Sequence, residues 1–215
     1  MKSKLILCLA LVLSGYCHAA IVYPKAPDGG QQTAYKYLEA DQKPKNFLDF
    51  LGVSRIENLT IADPFGVYTY SAEFTNLLSG QFLSATECYA WRYPLMLGTN
   101  TVGTMDLNAD ETRGKLLKFI TLQKSPSDNP MLEAAQVAEQ LPQVKKQDYE
   151  FRFLNMAPIL FRAVWLHGES DDIIIPLPPT FGRWNAYQPY SESEMIKLLK
   201  PEVENRLKQP PGLPD

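Results

Sequence analysis

The sequence predicts an α+β protein, with a mainly antiparallel sheet of about six or more strands and helices packed on one face. Three observations carry this. Several segments alternate side chains with the period of two that belongs to strands. Two others carry helix start signals followed by apolar residues at helical spacing. Successive strand patterns are joined by short polar turns, which suit hairpins rather than crossovers.

The elements follow in order. Tyr23–Gln32 is rich in Pro, Gly and Gln, and residues 20–45 are expected to be a loose N-terminal segment. Asn46–Leu51 reads as a short helix stopped by Gly52, and Val53–Ile61 as a strand broken by the turn Ala62–Gly66. Val67–Tyr70 reads as a short strand, and Ser71 can cap a helical turn through Leu78, with Gly80 as its stop. In Gln81–Tyr93, Leu83, Ala85, Tyr89, Trp91 and Tyr93 share one parity, while Ser84, Thr86, Cys88, Ala90 and Arg92 share the other, which predicts a long strand. Asn100–Leu107 and Lys115–Leu122 flank Asp106–Gly114 and read as a hairpin.

Asn129 and Pro130 stand at the cap and first position of a helix that Pro142 ends, with Met131, Ala135 and Ala138 along one face. Asp148–Asn155 alternates again. Pro158–Leu166 and Asp172–Leu177 are apolar runs joined by His167–Asp171. Ser191 and Glu194 form a capping box for a helix carrying Met195, Leu199, Val203 and Leu207, which Pro201 should kink or split near Lys200. From Gln81 onward the order is three strands, helix, three strands, helix. That order raises a βββα duplication, although no residues match between the halves. Residues 46–208 fit a single domain, and the three prolines of 209–215 predict a flexible tail.

The first nineteen residues have the composition of a secretory signal peptide. Lys2 and Lys4 precede the apolar run Leu5–Leu13, and Cys17 and Ala19 stand at −3 and −1 of a cut before Ala20. The run is too short for a bilayer, which needs ~20 apolar residues, and no later segment approaches that length. The bulky Tyr16 before Cys17 argues against lipid attachment. These features predict a secreted protein, in the periplasm of a Gram-negative bacterium, with no membrane insertion after cleavage. Asn58–Thr60 matches a glycosylation acceptor but reads as ordinary strand sequence in such a host.

Cleavage leaves 196 residues with 19 basic and 24 acidic side chains, a net charge of −5. A mildly acidic chain has no electrostatic footprint for nucleic acid. Cys88 and His167 are the only cysteine and histidine beyond the leader, so neither an intrachain disulfide nor a zinc site built from several Cys and His is expected.

Four clusters are candidates for chemistry. Asp106, Asn108 and Asp110 stand two apart, as calcium ligands do, but an EF-type loop needs Gly at position 6 and Glu at position 12, where Glu111 and Leu117 stand. A polar hairpin tip is the favoured reading. His167–Asp172 gathers an imidazole, a hydroxyl and three carboxylates, of which His167, Glu169 and Asp171 are metal-ligand types, yet neighbours in a tight turn point to different sides. Cys88 and His167 can be drawn as a nucleophile and base, although Cys88 lies mid-strand, where a small apolar role is more ordinary. Finally, Pro178–Tyr190 is a long loop holding Phe181, Arg183, Trp184, Tyr187 and Tyr190, which suits a binding surface; its alternative role is to cap an open end of the core.

No phosphate loop, nucleophile elbow or S-x-x-K motif is present. The sequence therefore predicts a non-catalytic binding or envelope-associated module without cofactor, which contacts a protein or small ligand through the aromatic loop. The alternative is a cysteine- or metal-dependent hydrolase using Cys88 with His167, or the His167–Asp172 turn.

Overall fold

The structure is a computed structural model that describes residues 20–40, 47–70, 75–108, 118–125 and 129–208. It is α+β, and among the described residues ten strands join in one mixed sheet. The strands are β1 (Ile21–Val22), β2 (Leu59–Ile61), β3 (Phe65–Tyr70), β4 (Thr86–Leu97), β5 (Asn100–Asn108), β6 (Phe119–Lys124), β7 (Tyr149–Met156), β8 (Phe161–Gly168), β9 (Asp172–Pro176) and β10 (Tyr190–Ser191). The helices are α1 (Gly30–Ala40), α2 (Phe47–Leu51), the single turn α3 (Thr75–Leu78), α4 (Pro130–Gln140) and α5 (Glu192–Leu207). The main path of the sheet runs β10-β9-β8-β7-β3-β4-β5-β6, with β2 beside β4 and β1 beside β7.

Two meanders, β4-β5-β6 and β7-β8-β9, therefore flank β3. Their internal pairs are antiparallel, as the short turns predict. The joint between them is parallel, with Gly66 opposite Arg152 and Val67 opposite Phe153, and β1 also runs parallel to β7. The chain can make a parallel neighbour only through a crossover, and the segment between β6 and β7 supplies it, carrying α4.

The helices do not share one face, contrary to expectation. α4 buries Ala134 and Ala138 against Phe151, Phe153, Val164, Leu166, Ile173 and Ile175. α5 buries Met195, Leu199 and Val203 against residues of the opposite parity, Leu154, Ala163, Trp165 and Ile174. The central strands are apolar on both parities, so each face needs a cover. α1 and α2 pack with Trp91, Tyr93 and Leu95. By the register Trp91–Gly66–Arg152–Trp165, this is the α5 face. The βββα order recurs, but its two helices lie on opposite faces.

Other expectations need adjustment. The segment 20–45 holds β1 and α1, and α1 buries Ala34 and Leu38, so it is not loose between residues 20 and 40. Only the end of Val53–Ile61 is strand. The long strand begins at Thr86 after a 3-10 turn over Leu83–Ala85 and runs on to Leu97. α5 passes through Pro201 unbroken, because its buried stripe at four-residue steps docks as one unit while proline removes a single helical hydrogen bond. The caps match their signals. The Asn129 side chain accepts from the Leu132 N–H, and Ser191 and Glu194 bond reciprocally. No helix among the described residues is long and apolar enough to cross a membrane, and Cys88 forms no disulfide among them. The expected signal segment 1–19, the expected Ser71 cap and the expected flexible tail 209–215 lie outside the described residues.

Candidate functional site

Asp106 does not sit at a hairpin tip. It lies within β5 opposite Arg92 of β4, and the two form a bidentate pair, Arg92 Nε to Asp106 Oδ1 at 2.7 Å and Nη2 to Oδ2 at 2.8 Å. Only 9% and 3% of these side chains are exposed, so each charge depends on the other. The Arg92 guanidinium also stands 4.6 Å from the centre of the Phe153 ring. Asn108 closes the strand, its N–H donating to the Lys118 carbonyl at 2.8 Å. Asp110 lies outside the described residues.

Cys88 and His167 do not form a dyad. Both project from the α5 face, but Cys88 pairs with Tyr68, which pairs with Leu154, which pairs with Ala163 on the strand of His167. Their strands are three spacings apart, about 14 Å, and His167 lies four residues further along β8 than Ala163, the residue level with Cys88. Cys88 Sγ instead donates to the Ala90 carbonyl at 3.4 Å.

His167 has a different partner. Its Nδ1 lies 2.8 Å from Asp172 Oδ1, and the Trp165 indole donates to the same oxygen at 2.7 Å. The His167 and Trp165 rings meet edge to face at 5.4 Å. Next in the row, the Arg152 guanidinium lies over Trp165 at 4.4 Å and over Tyr68 at 4.7 Å, and its Nε donates to Glu150 at 2.7 Å. This continuous band of aromatic and charged groups crosses β3, β7, β8 and β9. Burial is the main cause that pushes the Tyr68 phenol up to about 12; Arg152 beside it pulls the other way. The turn sends its other groups elsewhere. Asp171 accepts from Tyr149 at 2.6 Å and from Gln147, on the α4 face, where burial and then Asp171 raise the Tyr149 phenol. Glu169 is exposed. The sheet thus parts His167 from Asp171, and His167, Glu169 and Asp171 do not converge as a ligand set.

The Pro178–Tyr190 loop splits into anchors and a tip. Trp184 is 3% exposed and meets Phe161 edge to face at 5.1 Å, with Gly182 against its indole where no Cβ fits. Tyr190 is buried in β10, and its hydroxyl accepts the Asn185 N–H at 3.0 Å. The sequence reading puts both at a ligand surface. In the fold both belong to the core, because an open sheet end leaves large apolar area that aromatic rings fill. Tyr187 is half-buried with its backbone left-handed at φ 62°, and its N–H donates to the Pro176 carbonyl at 2.9 Å. The Arg162 guanidinium donates to the Pro178 carbonyl at 3.1 Å. Between Pro178 and Trp184, Phe181 is 62% exposed and Arg183 is exposed.

A cleft of about 360 Å³ lies elsewhere, between the Tyr23–Gln32 segment, Asp63 and Tyr93. The Tyr93 hydroxyl is buried without a hydrogen-bond partner among the described residues, and desolvation pushes it up to about 12. Gly30 lies directly against that hydroxyl, so any Cβ at Gly30 would overlap it.

Sequence patterning missed Arg152 and the Arg92–Asp106 pair. The available signal was a charged residue in the middle of an alternating strand, which in a buried sheet demands a partner. The chain matches no protein-family profile, no curated protein and no solved structure.

Proposed function

We propose that the chain is a secreted, periplasmic, non-catalytic binding protein that engages a protein or small ligand through the tip of the Pro178–Tyr190 loop. The observation that carries this reading is the contrast within one loop: Phe181 is 62% exposed between the buried Leu177 and Trp184. A large ring held in water on a loop fixed at both ends is placed for contact with something else. The left-handed backbone at Tyr187 supports it, since a non-glycine residue holds that conformation only where its surroundings impose it. Arg183 beside Phe181 adds a planar cation suited to a carboxylate or an aromatic face.

Photocrosslinking tests this directly. A photoreactive phenylalanine analogue at position 181, expressed in the chain's own compartment, should give an adduct of defined mass. The same analogue at Leu207, exposed on α5, should give none. Equal or absent labelling at both positions would rule the loop out.

A second reading has one observation in its favour. The Asp172 carboxylate holds Nδ1 of a 41%-exposed His167 imidazole, a carboxylate–histidine pair of the kind that serves as a general base acting on water or an alcohol. His167→Ala should then abolish any ester hydrolysis the purified protein shows; hydrolysis that survives the substitution removes this reading.

A further inference from the structure

We propose that cleavage between Ala19 and Ala20 creates an α-ammonium group that the Asp148 carboxylate captures, so that processing locks β1 onto the sheet. The inference rests on the signal-peptide part of the reading above. Its basis is a coincidence between two independent facts. The residue pattern puts Cys17 and Ala19 at −3 and −1 of a cut, which makes Ala20 the first residue of the processed chain. The fold puts the backbone nitrogen of Ala20 2.8 Å from Asp148 Oδ1.

The rest of the local geometry fixes that nitrogen in place. The Ala20 carbonyl accepts the Tyr149 N–H at 3.0 Å, and Ile21 and Val22 run parallel to Tyr149 and Glu150. Ile21 packs on the cluster beneath α4, and Tyr23 packs against Phe151 at 5.4 Å between ring centres. Before cleavage the Ala20 nitrogen is a neutral amide with one proton to donate. Hydrolysis by a signal peptidase adds water across the Ala19–Ala20 bond: Ala19 leaves as a carboxylate, and Ala20 keeps an amine that is protonated at neutral pH. The same 2.8 Å contact then joins full charges, and a charge-assisted hydrogen bond is roughly twice as strong as a neutral one. Because β1 is only two residues long, one terminal anchor decides whether it stays paired. Docked β1 also sets the position of Tyr23, which forms part of the wall of the cleft beside α1.

Four purified proteins test this: chains starting at Ala20 or at His18, each with Asp148 or with Asp148→Asn. Asp148 is exposed, so the substitution does not disturb the core. The Ala20 chain should melt about 2 °C above the His18 chain, an increment expected of one exposed ion pair. Asp148→Asn should erase that difference, and amide exchange at Val22 and Tyr23 should slow only in the Ala20 chain with Asp148. Equal melting of the first pair, or a difference that persists between the two Asp148→Asn chains, would overturn the capture. The mass of the protein recovered from the secreted fraction tests the processing separately. An N-terminus other than Ala20 would overturn the reading on which the inference rests, and the four melting curves would still judge the contact itself.

Discussion

Arg92 and Asp106 show how a single pair of side chains can mislead and then inform. On the sequence, Asp106 opens a calcium-like spacing; in the fold it neutralises a buried guanidinium. Removing one member strands the other charge, so Asp106→Ala should cost about 3–5 kcal/mol in denaturant unfolding, and calcium should leave the melting temperature of the intact protein unchanged. Tyr93 carries the opposite lesson. Its hydroxyl is buried with no partner among the described residues, so Tyr93→Phe should leave stability unchanged or raise it, whereas Gly30→Ala should cost about 1–3 kcal/mol by forcing a methyl group onto that hydroxyl. Tyr68 and Tyr93 also set the alkaline limit. Both phenols rise from an ordinary 10.0 to about 12 in the folded chain, chiefly through burial. The unfolded chain therefore releases their protons first. Their contribution is complete below pH 10.0 and is lost as pH rises toward 12. Chemical unfolding across that window should show a falling midpoint, and the Tyr68→Phe, Tyr93→Phe double variant should flatten the fall.

At the scale of elements, α5 offers the clearest test of packing against propensity. Its buried stripe of Met195, Leu199 and Val203 keeps Pro201 inside a continuous helix, so Pro201→Ala should stabilise the protein by about 1–3 kcal/mol. The features legible in the sequence are local ones. Alternation marks β4 and β7, an apolar run marks β9, and the Asn129 and Ser191 caps stand where their signals put them, because each depends on neighbours along the chain. The parallel joint of β3 to β7 depends on residues about 86 positions apart and leaves no local trace. The same limit hides the two-sided cover. Phe151 and Phe153 alternate with Arg152 and Leu154, and a charged Arg152 on the second parity resembles a solvent face until Tyr68 and Trp165 are seen to enclose it. Trp184 and Tyr190 resemble a binding surface for a related reason: composition marks a loop as aromatic, while only the fold decides which rings are roofed by Phe161 and α5.

The whole molecule is a two-faced sheet that holds one loop in a fixed shape. Within that loop Trp184 and Tyr190 are buried while Phe181 and Arg183 are exposed, and the division has measurable consequences. Trp184→Ala should cost about 3–5 kcal/mol, since it empties a core position. Phe181→Ala should shift stability by no more than about 0.5 kcal/mol, since the ring is mostly in water. A loss of binding in the Trp184 variant would therefore report unfolding. The decisive comparison uses the Phe181→Ala, Arg183→Ala double variant instead. Immobilised wild-type and double-variant proteins, matched for melting temperature, are exposed to the same periplasmic extract and small-molecule fraction, and the bound species are resolved by mass spectrometry. A binding protein that works through this loop should retain at least one species on the wild type and lose it on the double variant. The same species retained equally by both proteins would contradict it.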